Sequence, residues 1–285
     1  MMRIHLGIST CPNDTFAFHG ILKKCVNLRG LEFAIELLDV EELNRRLLAG
    51  EFDVAKASFH AALYMTEQLG VLPVGSALGF GVGPILLGAS PNTRPGDRLR
   101  ASAGGDLPHV LCPGEHTTAT LLYRLFHADE GLEKQVVFSN IMPALQEKKA
   151  DFGVCIHEGR FTWKNYGLSF VEDLGSTWEA DTSSPLPLGG ILARHRLGEE
   201  CMATLTAVIR DSLSYAEAHR EEVVSTMRQY AQELSEGVMF QHVDLYVNEW
   251  TYDLGDVGRS ALFTLHERAT DIGLLPPTVP RLTVY

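Results

Sequence analysis

The chain has 285 residues, 45% of them hydrophobic and 21% charged, with a formal net charge of −12 at pH 7. That length and balance suit a two-lobed α/β protein rather than one small core. The acidic surplus argues against nucleic acid or an anionic membrane surface as partner, but leaves room for an anionic small molecule in a locally positive pocket. The apolar stretch after Met1 is too short for a signal-peptide core, and no apolar run approaches the roughly 20 residues that span a bilayer. Five cysteines (Cys11, Cys25, Cys112, Cys155, Cys201) are odd in number, widely spaced and without a Cys-x-x-Cys pair. They read as free thiols in a reducing compartment, so a cytoplasmic location is expected.

In chain order, Ile4–Ser9 reads as a strand, Thr10–Asp14 as turn chemistry, and Phe16, Phe18, Ile21 and Leu22 recur at helical spacing. Leu31–Leu38 is a second strand, and Glu41–Ala49 an amphipathic helix closed by Gly50. Asp53–Ser58 is a third strand, running straight into a helix at Phe59. A glycine-rich passage, Gly79–Pro84, precedes the apolar run Ile85–Leu87; Ser90–Asp97 looks like a boundary and Arg98–His109 like an irregular surface excursion. Val110–Pro113 and Val136–Ser139 read as strands, Ala119–His127 and Ile141–Lys148 as helices. Asp151–Ile156 is a strand ending at His157, followed by a short helical run over Glu158–Lys164. Pro185–Ala193 resembles Gly83–Gly88, both Pro/Gly-led apolar runs, and the pair reads as two crossover strands. The expected domains are therefore 1–89 with 190–285, and an inserted 90–189. Helices are expected at Glu199–His219, Glu221–Leu234, Phe240–Trp250 and Arg259–Ile272, with a Pro-rich tail over Pro276–Tyr285 that could lie across a lobe.

The strand-to-helix junctions carry the candidate chemistry, because a helix amino terminus offers unpaired N–H donors and about half a positive charge to a carboxylate or phosphate. Pro113–Ala119 joins a permissive Gly114 to Thr117 and Thr118, either of which can cap a helix or touch a ligand. Lys56, Ala57 and Ser58 place a cation and a hydroxyl at another junction, where Lys56 could equally be solvated. Asn13 and Asp14 are explained by turn formation alone. His157 falls beyond the carboxyl end of a strand, where α/β sheets bind ligands. It is either a satisfied half-buried histidine or a proton-transfer group titrating near neutrality. Glu158 or a backbone carbonyl could orient it, and Arg160 either pairs with Glu158 or faces the cleft. Metal chemistry has no support: the histidines are scattered, with no His-Glu-x-x-His and no Asp-x-Asp loop. Cys155 falls inside a strand and reads as packing.

Taken together, Ser9-Thr-Cys-Pro-Asn-Asp-Thr-Phe16, Lys56-Ala-Ser58, Gly79-Phe-Gly-Val-Gly-Pro84, Pro113-Gly-Glu-His-Thr-Thr-Ala119, Ile156-His-Glu-Gly-Arg-Phe-Thr162 and Pro185-Leu-Pro-Leu-Gly-Gly190 resemble the 1,4-dihydroxy-6-naphthoate synthase family of the futalosine route to menaquinone. Tyr246-Val-Asn248 fits as well. The resemblance implies a two-lobed type II periplasmic-binding-protein-like fold with a central cleft, and a lyase that acts on the anionic cyclic dehypoxanthine futalosine with no metal or organic cofactor. It implies His157 as proton acceptor, with Lys56, Ala57, Ser58, Thr117, Thr118 and Ala119 lining the substrate site. Thr10 and Ala57 depart from the family's commoner Pro and Leu, and the stretch near 98–109 is longer. Two other readings share the fold: a cytoplasmic carboxylate-binding protein and the sister chorismate dehydratase. Oligomeric state is not legible.

Overall fold

β1 (Met2–Ser9) buries Ile4, Leu6 and Ile8 in alternation, and the turn after it opens α1 (Pro12–Ala17) with a proline where its missing N–H costs nothing. The computed structural model describes residues 2–90, 107–231 and 235–285. After α2 (His19–Leu22), β2 (Leu31–Leu38) lies parallel to β1. Asp39 caps α3 (Val40–Leu48), its carboxylate accepting from the Glu41 amide at 2.9 Å. β3 (Val54–Ser58) is buried throughout and runs directly into α4 (Phe59–Ala62). The stretch that follows is broken around Pro73 and Gly75 into β4 (Leu69–Val71) and β5 (Ala77–Gly79).

The chain continues through β6 (Ile85–Gly88), β7 (His109–Cys112), α5 (Thr118–His127), β8 (Leu132–Gln135), a tight 3-10 turn over Phe138–Asn140, α6 (Ile141–Gln146) and β9 (Phe152–Cys155). Then come α7 (Gly159–Thr162), β10 (Ser169–Asp173) and α8 (Leu174–Thr182). β11 (Leu186–Arg194) leads to α9 (Gly198–Ala218), α10 (Arg220–Tyr230), α11 (Glu236–Tyr246), α12 (Glu249–Tyr252) and α13 (Gly255–Asp271).

Two compact units result. The larger, Met1–Gly79 with Pro187–Tyr285, is built on a sheet of order β2-β1-β3-β11-β4, with β5 also paired to β11. Its core joins β1 to the stripe of α9 that carries Leu205, Val208, Ile209 and Leu213. The tail expected to lie across a lobe does so: Val284 bridges to Val71 of β4. The smaller unit, Phe80–Leu186, holds the sheet β10-β6-β9-β7-β8. It begins at Phe80 rather than at residue 90 because β6 pairs with β9 and β10 and so belongs wholly to this sheet. The chain returns to the larger unit at Pro187, one residue into β11. Most of the Ser90–His109 stretch expected as boundary and excursion falls outside the described residues.

The strand expected at Val136–Ser139 lies instead at Leu132–Gln135. That segment forms the rim of its sheet, so it needs only one apolar residue, and Phe138 opens a 3-10 turn. The glycine-rich passage has a packing reason: a Cβ on Gly83 would lie 2.2 Å from the Cα of Gly175, so backbone meets backbone there. No helix among the described residues is long and apolar enough to cross a membrane.

Candidate active site

β7 is parallel to both β8 and β9, so the carboxyl ends of all three share one edge of the smaller sheet. After β7, Gly114 adopts φ 131°, a conformation that a side chain would strain, and its amide donates to Gln135 Oε1 at 2.9 Å. Thr117 caps α5: its hydroxyl accepts from the Thr120 amide at 3.2 Å and donates to the Gly114 carbonyl at 2.9 Å. The Thr120 hydroxyl donates to the same carbonyl at 2.6 Å, a loop clamp that no sequence motif announced. Thr118 and Ala119, both buried, form the first turn of α5, at the positive end of its dipole.

After β9, Ile156 leads to His157, whose backbone sits in the left-handed region at φ 54°. Few non-glycine residues adopt it, and histidine is among those that do. The imidazole is half-buried and meets the Phe138 ring edge-on, with centroids 4.8 Å apart and planes at 72°. Arg160 forms an ion pair, but with Asp173 at 2.6 Å rather than with Glu158, and also donates to the Gly83 carbonyl at 2.7 Å. Its guanidinium therefore ties α7 to the glycine-rich passage and to the residue that caps α8. Burial pushes the thiols of Cys112 and Cys155 far above the usual range, so both are packing groups.

In the larger unit the corresponding edge is differently occupied. Lys56 is 6% exposed, and its ammonium donates to Asp14 Oδ1 at 2.8 Å and to the Gly75 carbonyl at 3.0 Å. Asp14 is itself held by the Ser9 hydroxyl at 2.6 Å and the Asn13 side-chain amide at 3.0 Å. Asn13 and Asp14 thus do more than form a turn: they complete a buried charge cluster 42 residues from its lysine. Ser58 donates its backbone amide to Asn44 Oδ1 at 2.9 Å, and its hydroxyl accepts from Asn44 Nδ2 at 3.2 Å. Across the sheet, Gly189 and Gly190 stand opposite Ser58 and Ala57. A Cβ on Gly189 would lie 2.6 Å from the Ala57 carbonyl oxygen, and one on Gly190 2.6 Å from the Phe59 ring. Two motifs far apart in sequence are therefore cross-strand neighbours. Asn248, by contrast, holds the scaffold: it caps α12 and donates to the Leu78 carbonyl at 2.8 Å.

The structure thus brings His157, Thr117, Thr118 and Ala119 to one edge of the smaller unit's sheet, while Lys56, Ala57 and Ser58 lie together on β3 of the larger unit. Among the described residues, no three His, Cys, Asp or Glu side chains converge so as to hold a metal ion. Residues 4–271 match the model of a family described as menaquinone biosynthesis. The chain belongs to that family. It is 40% identical over 282 residues to a 1,4-dihydroxy-6-naphthoate synthase of Thermus thermophilus, covering 98% of each chain. Over 284 residues it is 38% identical to a synthase of the same name from Streptomyces coelicolor, covering 97% of this chain and 96% of that one. Among solved structures, a protein of Archaeoglobus fulgidus superposes with a TM-score of 0.87 at 28% identity, over 96% of this chain and 98% of its own. The alkanesulfonate-binding protein SsuA of Xanthomonas axonopodis superposes with a TM-score of 0.70 at 11% identity, over 100% and 98%. That second likeness establishes the periplasmic-binding-protein-like fold and nothing further about this family member.

Proposed function

We propose that this chain is a 1,4-dihydroxy-6-naphthoate synthase, a lyase converting cyclic dehypoxanthine futalosine to 1,4-dihydroxy-6-naphthoate in the cytoplasm. The observation that carries the reading is the near-full-length identity of 40% and 38% to two synthases of that name. The site adds chemical sense. His157 is the proton acceptor: half-buried at a strand end, it takes a proton from the sugar-derived part of the substrate. The eliminations that follow release the remnant and aromatise the ring, and aromatisation supplies driving force. The start of α5 holds the substrate carboxylate on the amides of its first turn, with Thr117, Thr118 and Ala119 around it. Because the Thr117 hydroxyl already braces Gly114, backbone N–H groups are the main donors there. Lys56, Ala57 and Ser58 supply further substrate contacts, two of the lysine's three N–H donors being committed to Asp14 and Gly75.

The test is naphthoate formation by the native protein and by His157→Asn. Asparagine tolerates the left-handed backbone at this position, which alanine does not, so the fold should survive. Loss of a general base costs roughly 10²- to 10⁴-fold in turnover. Near-native turnover by a folded His157→Asn protein would remove His157 from the chemistry. Turnover of chorismate in place of the futalosine derivative would replace the synthase with the dehydratase.

A further inference from the structure

Each of the three parallel strands ending at the His157 edge is followed by a different chain reversal. β7 is followed by the Gly114 turn, β9 by the left-handed backbone of His157, and β8 by the 3-10 turn that Phe138 opens. Val137 is 53% exposed, whereas Phe138 beside it is half-buried and turned onto the imidazole. The left-handed φ fixes where the His157 side chain leaves the backbone, but not how its ring is rotated. The torsion that rotates an imidazole is broad, so packing against a half-buried ring decides the plane in which it lies. The edge-on phenyl ring at 4.8 Å supplies that packing.

We infer that Phe138 is a positioning residue for His157: the phenyl ring holds the imidazole in one orientation, so that its accepting nitrogen faces the substrate proton. The inference rests on His157 being the proton acceptor. A leucine at 138 fills much of the same space but offers no ring edge or face, whereas tyrosine keeps both.

The experiment compares Phe138→Leu and Phe138→Tyr with the native enzyme, reading kcat and KM for naphthoate formation. Phe138→Leu is expected to lower kcat by about 3- to 10-fold with KM nearly unchanged, and Phe138→Tyr to restore most of the loss. Native kcat in Phe138→Leu, or a loss confined to KM, would overturn the inference, the second by making Phe138 a substrate contact. Should Phe138→Leu fail to fold, the native protein still decides: nuclear Overhauser contacts between the Phe138 ring and the carbon-bound protons of His157 are expected, and their absence sinks the idea. Active His157→Asn would instead overturn the proposed role of the histidine while leaving that ring contact standing. The two failures are therefore distinguishable.

Discussion

The Lys56 edge of the larger unit and the His157 edge of the smaller one begin from the same arrangement, polar residues where parallel strands end. They are settled in opposite ways. At the first, the cation is buried and answered by Asp14 and Gly75, and Asp14 in turn by Ser9 and Asn13. At the second, a half-buried imidazole sits on a left-handed backbone with an aromatic ring against it. A buried, mutually paired charge resists rearrangement, because either partner left alone carries an uncompensated desolvation cost. A half-buried ring carries no such buried charge and costs less to alter. The first edge is framework with a remaining donor; the second holds a half-buried ring, the group proposed above as proton acceptor.

Three perturbations test that contrast, the largest first. Lys56→Met should cost about 3–5 kcal/mol of stability by stranding the Asp14 carboxylate, and adding Asp14→Asn should recover most of it. Urea unfolding of the single and double variants measures both numbers. In the same assay His157→Asn should stay within about 1 kcal/mol of the native protein, since a left-handed residue suits asparagine at least as well. Comparable losses at both positions would erase the distinction. Next, Gly189→Ala should cost about 1–3 kcal/mol, because its Cβ would press on the Ala57 carbonyl and loosen β11 from β3. Thermal melts of this variant with unchanged midpoint would mean the two strands have room to yield.

The smallest effect belongs to a third cluster, in the smaller unit. His127 contacts Glu172 at 2.8 Å and Glu130 at 3.0 Å, its ring stacked on Tyr123, and Thr177 donates to Glu172. Burial opposes its charge, but the two carboxylates outweigh burial and raise its pKa; the His127 hydrogen bond lowers that of Glu172. The raised histidine contributes stability in full below its unfolded value near 6.5, and loses it as pH rises through the higher folded value. The lowered Glu172 contributes above its unfolded value near 4.3, and loses it as pH falls through the lower folded one. His127→Gln should therefore cost up to about 1 kcal/mol at pH 5.5 and less at pH 9. Melting-point differences that are equal at the two pH values would show that the ion pairs contribute nothing.

Much of this was legible because strand ends announce themselves. An apolar run closed by Thr, Ser, Pro or His placed β1, β3, β7 and β9, and with them both edges. Pairings between distant residues left no such trace. Nothing in the vicinity of Lys56 points to Asp14, which reaches it only once β1 and β3 lie side by side. Arg160 and Glu158 are too close along the chain to face each other on a helix, and Asp173 takes the guanidinium instead. β8 was hidden because a strand at the rim of a sheet needs little apolar surface, and Phe138 was hidden with it. The left-handed backbone of His157 was invisible for a related reason: its surroundings impose it, whereas a glycine or asparagine would have advertised it.

The backbone contact between Gly83 and Gly175 has a consequence for comparing members of this family. Each residue occupies the space the other's side chain would need, so neither can change alone and no shift of a side chain makes room. The two positions behave as one heritable character. A relative that carries a side chain at 83 must have moved α8 as a body, and its residue at 175 will report that displacement before any coordinates do.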